Sequence, residues 1–339
     1  MTAADERVAE SSQRDDGRSR NVGALLERFA LLGAWGVVIV VFGILRPDTF
    51  LTSSNFSTIF GSQAVLVVLT LALLAPLTAG DYDLSVAATM GLAAMTLALL
   101  NVNHGWPLAA AIAAALAVGV VVGVINGAIV VFAEIDSLIA TLGTSTFISG
   151  VILWMSDSQT ISGVSNTLID AVVANRLFGI PLAFYYGIAL GLVMFYVFEY
   201  MPLGRRLLFV GRGRSVARLT GIRVSRLRWA AFVASGAISA FAGVLYVGTL
   251  GSADPTSALS FLLPAFAAAF LGATTIMPGR FNPLGSIAAV YFLVTGITGL
   301  QLLGVQTFVQ QLFYGGALVL AVALSQFARR RDAASAGAA

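Results

Sequence analysis

The chain has no cysteine, no lysine and a single histidine among its 339 residues, and only 10% of it is charged. The missing cysteine excludes disulfides, thiol nucleophiles and cysteine-ligated metals. His104 stands alone beside Gly105, Trp106 and Pro107. It reads as a turn residue, because histidine-based metal sites need further ligands. The missing lysine excludes more. A Walker A loop, G-x-x-x-x-G-K-[ST], needs its lysine to reach the phosphates, so this chain contains no such loop. If ATP drives it, another polypeptide binds the ATP. Soluble globular proteins carry about 25% charged residues. The shortage here, with 58% hydrophobic residues and a mean hydropathy of +0.91, points to an all-α polytopic membrane bundle, since roughly 20 apolar residues cross the hydrocarbon core as a helix.

Residues 1–22 are polar and mix arginine with acids. They read as a disordered cytoplasmic tail without a cleavable signal, as no apolar core begins before about residue 24. Ten apolar spans follow, at about 25–45, 56–76, 84–101, 107–132, 137–155, 181–201, 229–250, 259–276, 284–302 and 305–327. The second is expected to stop at Pro76. The fourth carries Gly119, Gly123 and Gly127, a small-xxx-small row that favours close helix contact. A polar stretch separates the fifth and sixth spans, over 156–179. The membrane domain is therefore 23–328, with a cytoplasmic loop over 202–228 and a second cytoplasmic tail over 329–339.

Arginine placement sets the expected orientation. With ten spans, one side holds the five arginines of the N-terminal segment, the eight between Gly204 and Arg228, Arg280, and Arg329 to Arg331; the other holds Arg46 and Arg176. The expectation is N-in and C-in, in a bacterial plasma (inner) membrane.

Three stretches stand out. In Ala79 to Ser85, AGDYDLS, Asp83 and Ser85 are placed to cap a helix start. Alternatively Asp81, Asp83 or Ser85 borders a polar path, since intramembrane acids often mark solute routes. In the second, Asn126 precedes a span that opens with Asp136 as N-cap and carries Thr141, Thr144, Ser145 and Ser149 at helical spacing. These groups either hydrogen-bond within the bundle or line a path for a neutral polyol. The third is the arginine segment. Its charge alone would keep a loop inside, but Ser215 to Thr220 lies between Gly213 and Gly221 and reads as a short helix, with Ser215 as a possible N-cap and Gly221 as its stop. Val216 and Leu219 share one face, which could dock in a partner's groove. No nucleic-acid fold signature accompanies the charge.

These stretches resemble the permease subunits of ribose/xylose/galactoside-type ABC importers. Gly80-Asp81-Tyr82-Asp83-Leu84-Ser85 is similar to that family's G-x-D-L-S-V, and Gly211 to Val224 to its V-G-x-N-x-x-A-A-x-x-S-G-I-x-V. Ile125-Asn126-Gly127, Leu138 to Thr144, Gly251 to Pro255, Leu263 to Gly272, Pro278-Gly279-Arg280 and Pro283 to Ser286 also fit, in order, across about 50–327. Gly213 stands where the family often has asparagine, Asp136-Ser137 where it often has a proline pair, and Ala273-Thr274 replaces the second glycine of a pair. The resemblance implies a second permease copy or paralogue, a cytoplasmic ATPase that binds ATP and magnesium, and an extracytoplasmic sugar-binding protein. This chain would hold no cofactor, bind no nucleic acid and contact only lipid besides. The resemblance also implies coupling to the ATPase through Gly211, Gly213, Ser215, Ala217, Arg218, Leu219 and Gly221. The alternatives are an ABC permease for a non-sugar solute such as a nucleoside or autoinducer, an ion-coupled secondary transporter, and a membrane-embedded enzyme. The acids fall mostly at span ends, which disfavours the second, and one histidine without cysteine disfavours the third.

Overall fold

The computed structural model describes residues 28–306 and 308–337, with side chains as far as residue 323. The tail read over 1–22 lies outside the described residues. Helix α1 (Arg28–Leu45) leads through α2 (Pro47–Phe50) into α3 (Ser53–Ser62) and α4 (Ala64–Thr78), which form one apolar run with a turn at Gln63. Then come α5 (Val86–Ala98), ending in a π turn over Leu99–Asn103, α6 (Leu108–Val131) and α7 (Ser137–Met155). A small polar lobe holds β1 (Ile161–Ser162), α8 (Asn166–Ile169) and the hairpin of β2 (Arg176–Leu177) and β3 (Ile180–Pro181). After it come α9 (Leu182–Glu199), α10 (Pro202–Arg212), α11 (Arg214–Leu219) and α12 (Val224–Leu250). Strand β4 (Ser252–Ala253) pairs antiparallel with β1, and α13 (Leu262–Gly272), α14 (Pro283–Leu302) and α15 (Phe308–Gly337) complete the chain.

Every apolar span read from the sequence coincides with a helix. Eight are long and apolar enough to cross a membrane, and the helices at Ser257–Gly272 and Phe308–Ala323 are shorter. Three details differ. First, Pro76 lies inside α4, which runs on to Thr78. Second, the polar stretch 156–179 folds into the β1–β3 lobe. Third, the arginine segment is mostly helix: α10 and α11 fill it, and α12 starts at Val224, ahead of the expected 229. The backbone stays helical to Gly337, so Arg329 to Arg331 extend α15.

Helices α4 and α5 form the core. Every residue of both is buried, as an all-round apolar helix requires. Helix α12 packs on α4, α5 and α6. The glycine row explains the α6 contact, since a Cβ on Gly119 would strike Ala240 and Gly236, and one on Gly123 would strike the backbone of Phe232 and Val233. Gly123→Val is expected to destabilise by more than the usual ~1–3 kcal/mol of overpacking, because the obstacle is backbone and cannot swing away. A lowered midpoint in detergent thermal unfolding, against an unchanged midpoint for Gly143→Val, where among the described residues nothing beyond its own helix lies within 4 Å of a Cβ, checks this.

Farther along the chain, Asp254 holds the β4 loop. Its Oδ1 accepts from the amides and hydroxyls of Thr256 and Ser257, and its Oδ2 from Thr160 Oγ1. The Ser257 hydroxyl above all, with the Thr256 amide, keeps this carboxyl well below the usual range. In the β2–β3 hairpin Phe178 and Gly179 both have positive φ, as a two-residue type I′ turn demands. Phe178 is 90% exposed at the tip.

Candidate coupling site

The site begins where α4 ends. Gly80 has φ +79°. Its N–H donates to Leu77 O and the Asp81 N–H to Pro76 O, the paired bonds of a Schellman cap. Only glycine adopts this conformation without strain. The cap turns Asp81 toward the arginine segment. Arg228 on α12 grips its carboxylate with two bonds, Nε to Oδ2 and Nη2 to Oδ1, each 2.7 Å. Arg214, the first residue of α11, donates Nη2 to Asp81 Oδ1 at 2.8 Å and to Gly80 O at 2.8 Å. Forked bonds of this kind suit arginine and not lysine. Gly211, at the end of α10, packs so tightly on Thr78 and Ala79 that a Cβ there would overlap Thr78 O. The end of the most buried helix is thus latched to α10, α11 and α12.

The rest of the 80–85 segment reaches α12 again and two more helices, α6 and α7. Asp83, fully enclosed, accepts at Oδ1 from the Ser85 amide and hydroxyl and at Oδ2 from Ser235 on α12 at 2.7 Å. Burial pushes this carboxyl up, and the Ser85 and Ser235 bonds pull it back. Asn126 on α6 donates Nδ2 to Ser85 Oγ at 2.7 Å. From α7, Ser137 Oγ and Thr141 Oγ1 accept the Tyr82 and Leu84 amides. Six residues therefore join α4, α5, α6, α7, α11 and α12. A separate ion pair, Arg280 to Glu199, fastens the α13–α14 loop to the end of α9.

Helix α11 carries the outward face of the site. Ala217 is buried against Val210 and Val224, whereas Val216 is 55% and Leu219 87% exposed, with Arg218 exposed between them. Gly221, φ +80°, follows the C-cap Thr220. Gly213 is the N-cap, so Ser215, expected there, sits inside the first turn. This is a short apolar ridge rimmed by arginine, with its base clamped to the core.

Residues 55–322 match the family described as branched-chain amino acid transport system / permease component. The chain belongs to this family. The permease is 28% identical to the D-allose transport system permease protein of Escherichia coli K12, over 93% of this chain and 96% of that protein. It is 31% identical to the ribose import permease protein of Bacillus subtilis 168, over 94% and 98%. It is also 31% identical to the autoinducer 2 import system permease protein of Photorhabdus laumondii, over 87% and 89%. No solved structure matches it significantly. The permease is a multi-pass inner-membrane transport component and not an enzyme. Among the described residues, no group of His, Asp and Glu is gathered to hold a metal.

The permease brings together Asp81, Asp83, Asn126 and Thr141 from the expected pathway set, and Gly211 from the coupling set. Asn126 and Thr141 are completely buried. Thr144 is half-buried, with its hydroxyl donating to Ala140 O, and Thr141 donates likewise to Ser137 O. Ser145 is buried on the same helix. Asp136 is the N-cap expected for α7, accepting the Leu138 and Ile139 amides. Arg214, Arg228, Ser137 and Ser235 were not singled out by sequence. The one available signal was that Arg228 stands at the edge of an apolar run, where an unpaired cation is costly.

Proposed function

We propose that the chain is the membrane subunit of an ATP-driven importer, carrying a neutral monosaccharide inward. In this reading a separate ATPase binds ATP and magnesium, an extracytoplasmic binding protein delivers the solute, and a second permease copy or paralogue completes the pathway. One observation carries the coupling role: α11 offers Val216 and Leu219 outward while Arg214 in the same helix grips Asp81 at the end of α4. Force applied to that ridge enters the buried helices directly. The arginine bias supports N-in and C-in, with ten crossings and α10–α11 in the cytoplasm. The exposed Phe178 hairpin then faces the other side, where a binding protein docks.

Asp81, Asp83, Asn126 and Thr141 act as the anchor of this linkage. Their bonds to one another and to the 80–85 backbone support that role over a wall of the solute path. The D-allose and ribose relatives support the sugar assignment. The autoinducer 2 relative supports a second reading, a non-sugar solute on the same machinery.

Uptake in cells expressing the assembled transporter tests the energy source. Depleting ATP while holding the membrane potential is expected to stop it, and uptake that continues sinks the ATP-driven reading in favour of ion coupling.

A further inference from the structure

At the end of the bundle away from the arginine segment, a cleft of about 670 Å³ opens between the first turn of α4, the start of α13, the last turns of α14, and α15. From Gln63 at this cleft, α4 runs roughly 22 Å to Thr78 at the latch. The volume lies within the ~300–1,000 Å³ of small-molecule sites. Its walls divide sharply. Phe261, Leu263 and Pro264 present apolar surface, while Gln63, Gln301 and Gln310, with Thr298, present neutral donors and acceptors. Gln301 and Gln310 meet across it at 3.4 Å. Among the described residues, no charged side chain lines it.

We propose that this cleft is the solute site of the permease and that it takes a neutral polyol, a proposal that rests on the importer reading above. Amide and hydroxyl groups satisfy hydroxyls in both senses, as donors and acceptors. Apolar patches such as that of Phe261 suit the C–H faces of a pyranose ring. A zwitterionic amino acid would instead leave an ammonium and a carboxylate without counter-charges in a half-enclosed site, which is costly. The lining thus favours the sugars named for the relatives over the amino acids in the family description. Under the orientation proposed above, the cleft faces the side from which a delivered solute enters.

The cysteine-free chain makes the test direct. Gln301→Cys and Thr298→Cys are introduced singly into the full transporter in sealed right-side-out vesicles. Each is treated with a membrane-impermeant maleimide, with Leu312→Cys, 66% exposed on the apolar helix α15 and outside the cleft lining, as the control expected to face lipid. Both cleft cysteines are expected to react, and the control not to. D-allose or D-ribose at about ten times its apparent Kd should slow labelling roughly tenfold, and L-leucine should not. No labelling at either position means that the cleft is filled by lipid and overturns the proposal. Labelling indifferent to both sugars, or slowed by leucine alone, overturns it too. Co-purification of an ATPase with each variant shows that the complex has assembled. If the ATPase is present and the cleft fails, only the cleft assignment falls. If wild-type protein brings down no ATPase, the importer reading falls first.

Discussion

Asp81→Ala abolishes transport while leaving much of the protein folded: that is the expected result at the latch. Removing one member of a buried ion pair costs ~3–5 kcal/mol. The lower end applies here, about 3 kcal/mol, because Arg214 is 40% exposed and can turn to water while Arg228, 12% exposed, cannot. Domains of ordinary stability, ~5–15 kcal/mol, survive that loss. The connection from α11 to α4 does not survive it. Arg214→Ala separates the two effects. It should move the unfolding midpoint little, since Arg214 is partly exposed and Asp81 keeps its bonds to Arg228, yet lower uptake by about tenfold or more, a loss of ~1.4 kcal/mol in coupling. Arg228→Ala should lower both. Measuring uptake, ATPase co-purification and the detergent unfolding midpoint for all three variants checks the ordering. Normal uptake in Asp81→Ala and Arg214→Ala would show that the latch transmits nothing.

The second large effect is expected on the ridge. Leu219→Asp, alone or with Arg218→Asp, changes exposed positions, where substitutions usually shift stability by no more than about 0.5 kcal/mol. The variant should therefore reach the membrane in normal amounts. Burying the new carboxylate in an apolar groove of a partner costs several kcal/mol. ATPase co-purification and uptake should then fall by roughly a hundredfold or more, at 1.4 kcal/mol per factor of ten. The neighbouring exposed change Ser215→Asp tests whether charge alone matters, because Ser215 lies beside the ridge and not on it. Equal ATPase recovery from wild type and Leu219→Asp would remove α11 from the interface.

The apolar helices were legible because lipid and protein core ask the same thing of a side chain. A run such as 56–76 reads as apolar whether it ends up enclosed, as α4 is, or exposed. That same equality hid which helices are central: the α3–α4 run and α1 look alike in hydropathy, 2.1 and 2.2, yet are mostly buried and mostly exposed respectively. The glycine row on α6 was legible because a missing side chain at every fourth position has one obvious use. Helix α10 was not, because its arginines masked the apolar face carrying Leu207 and Val210.

At the site, side-chain type was legible and partnership was not. Asp81 meets arginines 133 and 147 positions away, and nothing local marks that pairing. Asn126 and Thr141 were recognisable as polar groups inside helices. Only the fold shows that their bonds go to Ser85 and Leu84. Pro76 misled because proline usually ends a helix. Here the missing N–H removes one internal bond, and the Schellman cap at Gly80 uses the Pro76 carbonyl, which accepts from the Asp81 amide five residues on.

The Gly80 cap has one more consequence. Aligned peptide groups leave roughly half a negative charge at the C-terminal end of a helix. In α4 that end points at Arg214 and Arg228, and Gly80 O itself accepts from Arg214. The guanidinium groups are therefore held by a backbone electrostatic field as well as by a carboxylate. Asp81→Asn, neutral but still able to accept, should consequently leave a weakened latch with graded transport where alanine leaves none. The backbone share of that hold belongs to peptide geometry and persists in the alanine variant as well, where by itself it is too weak to sustain transport.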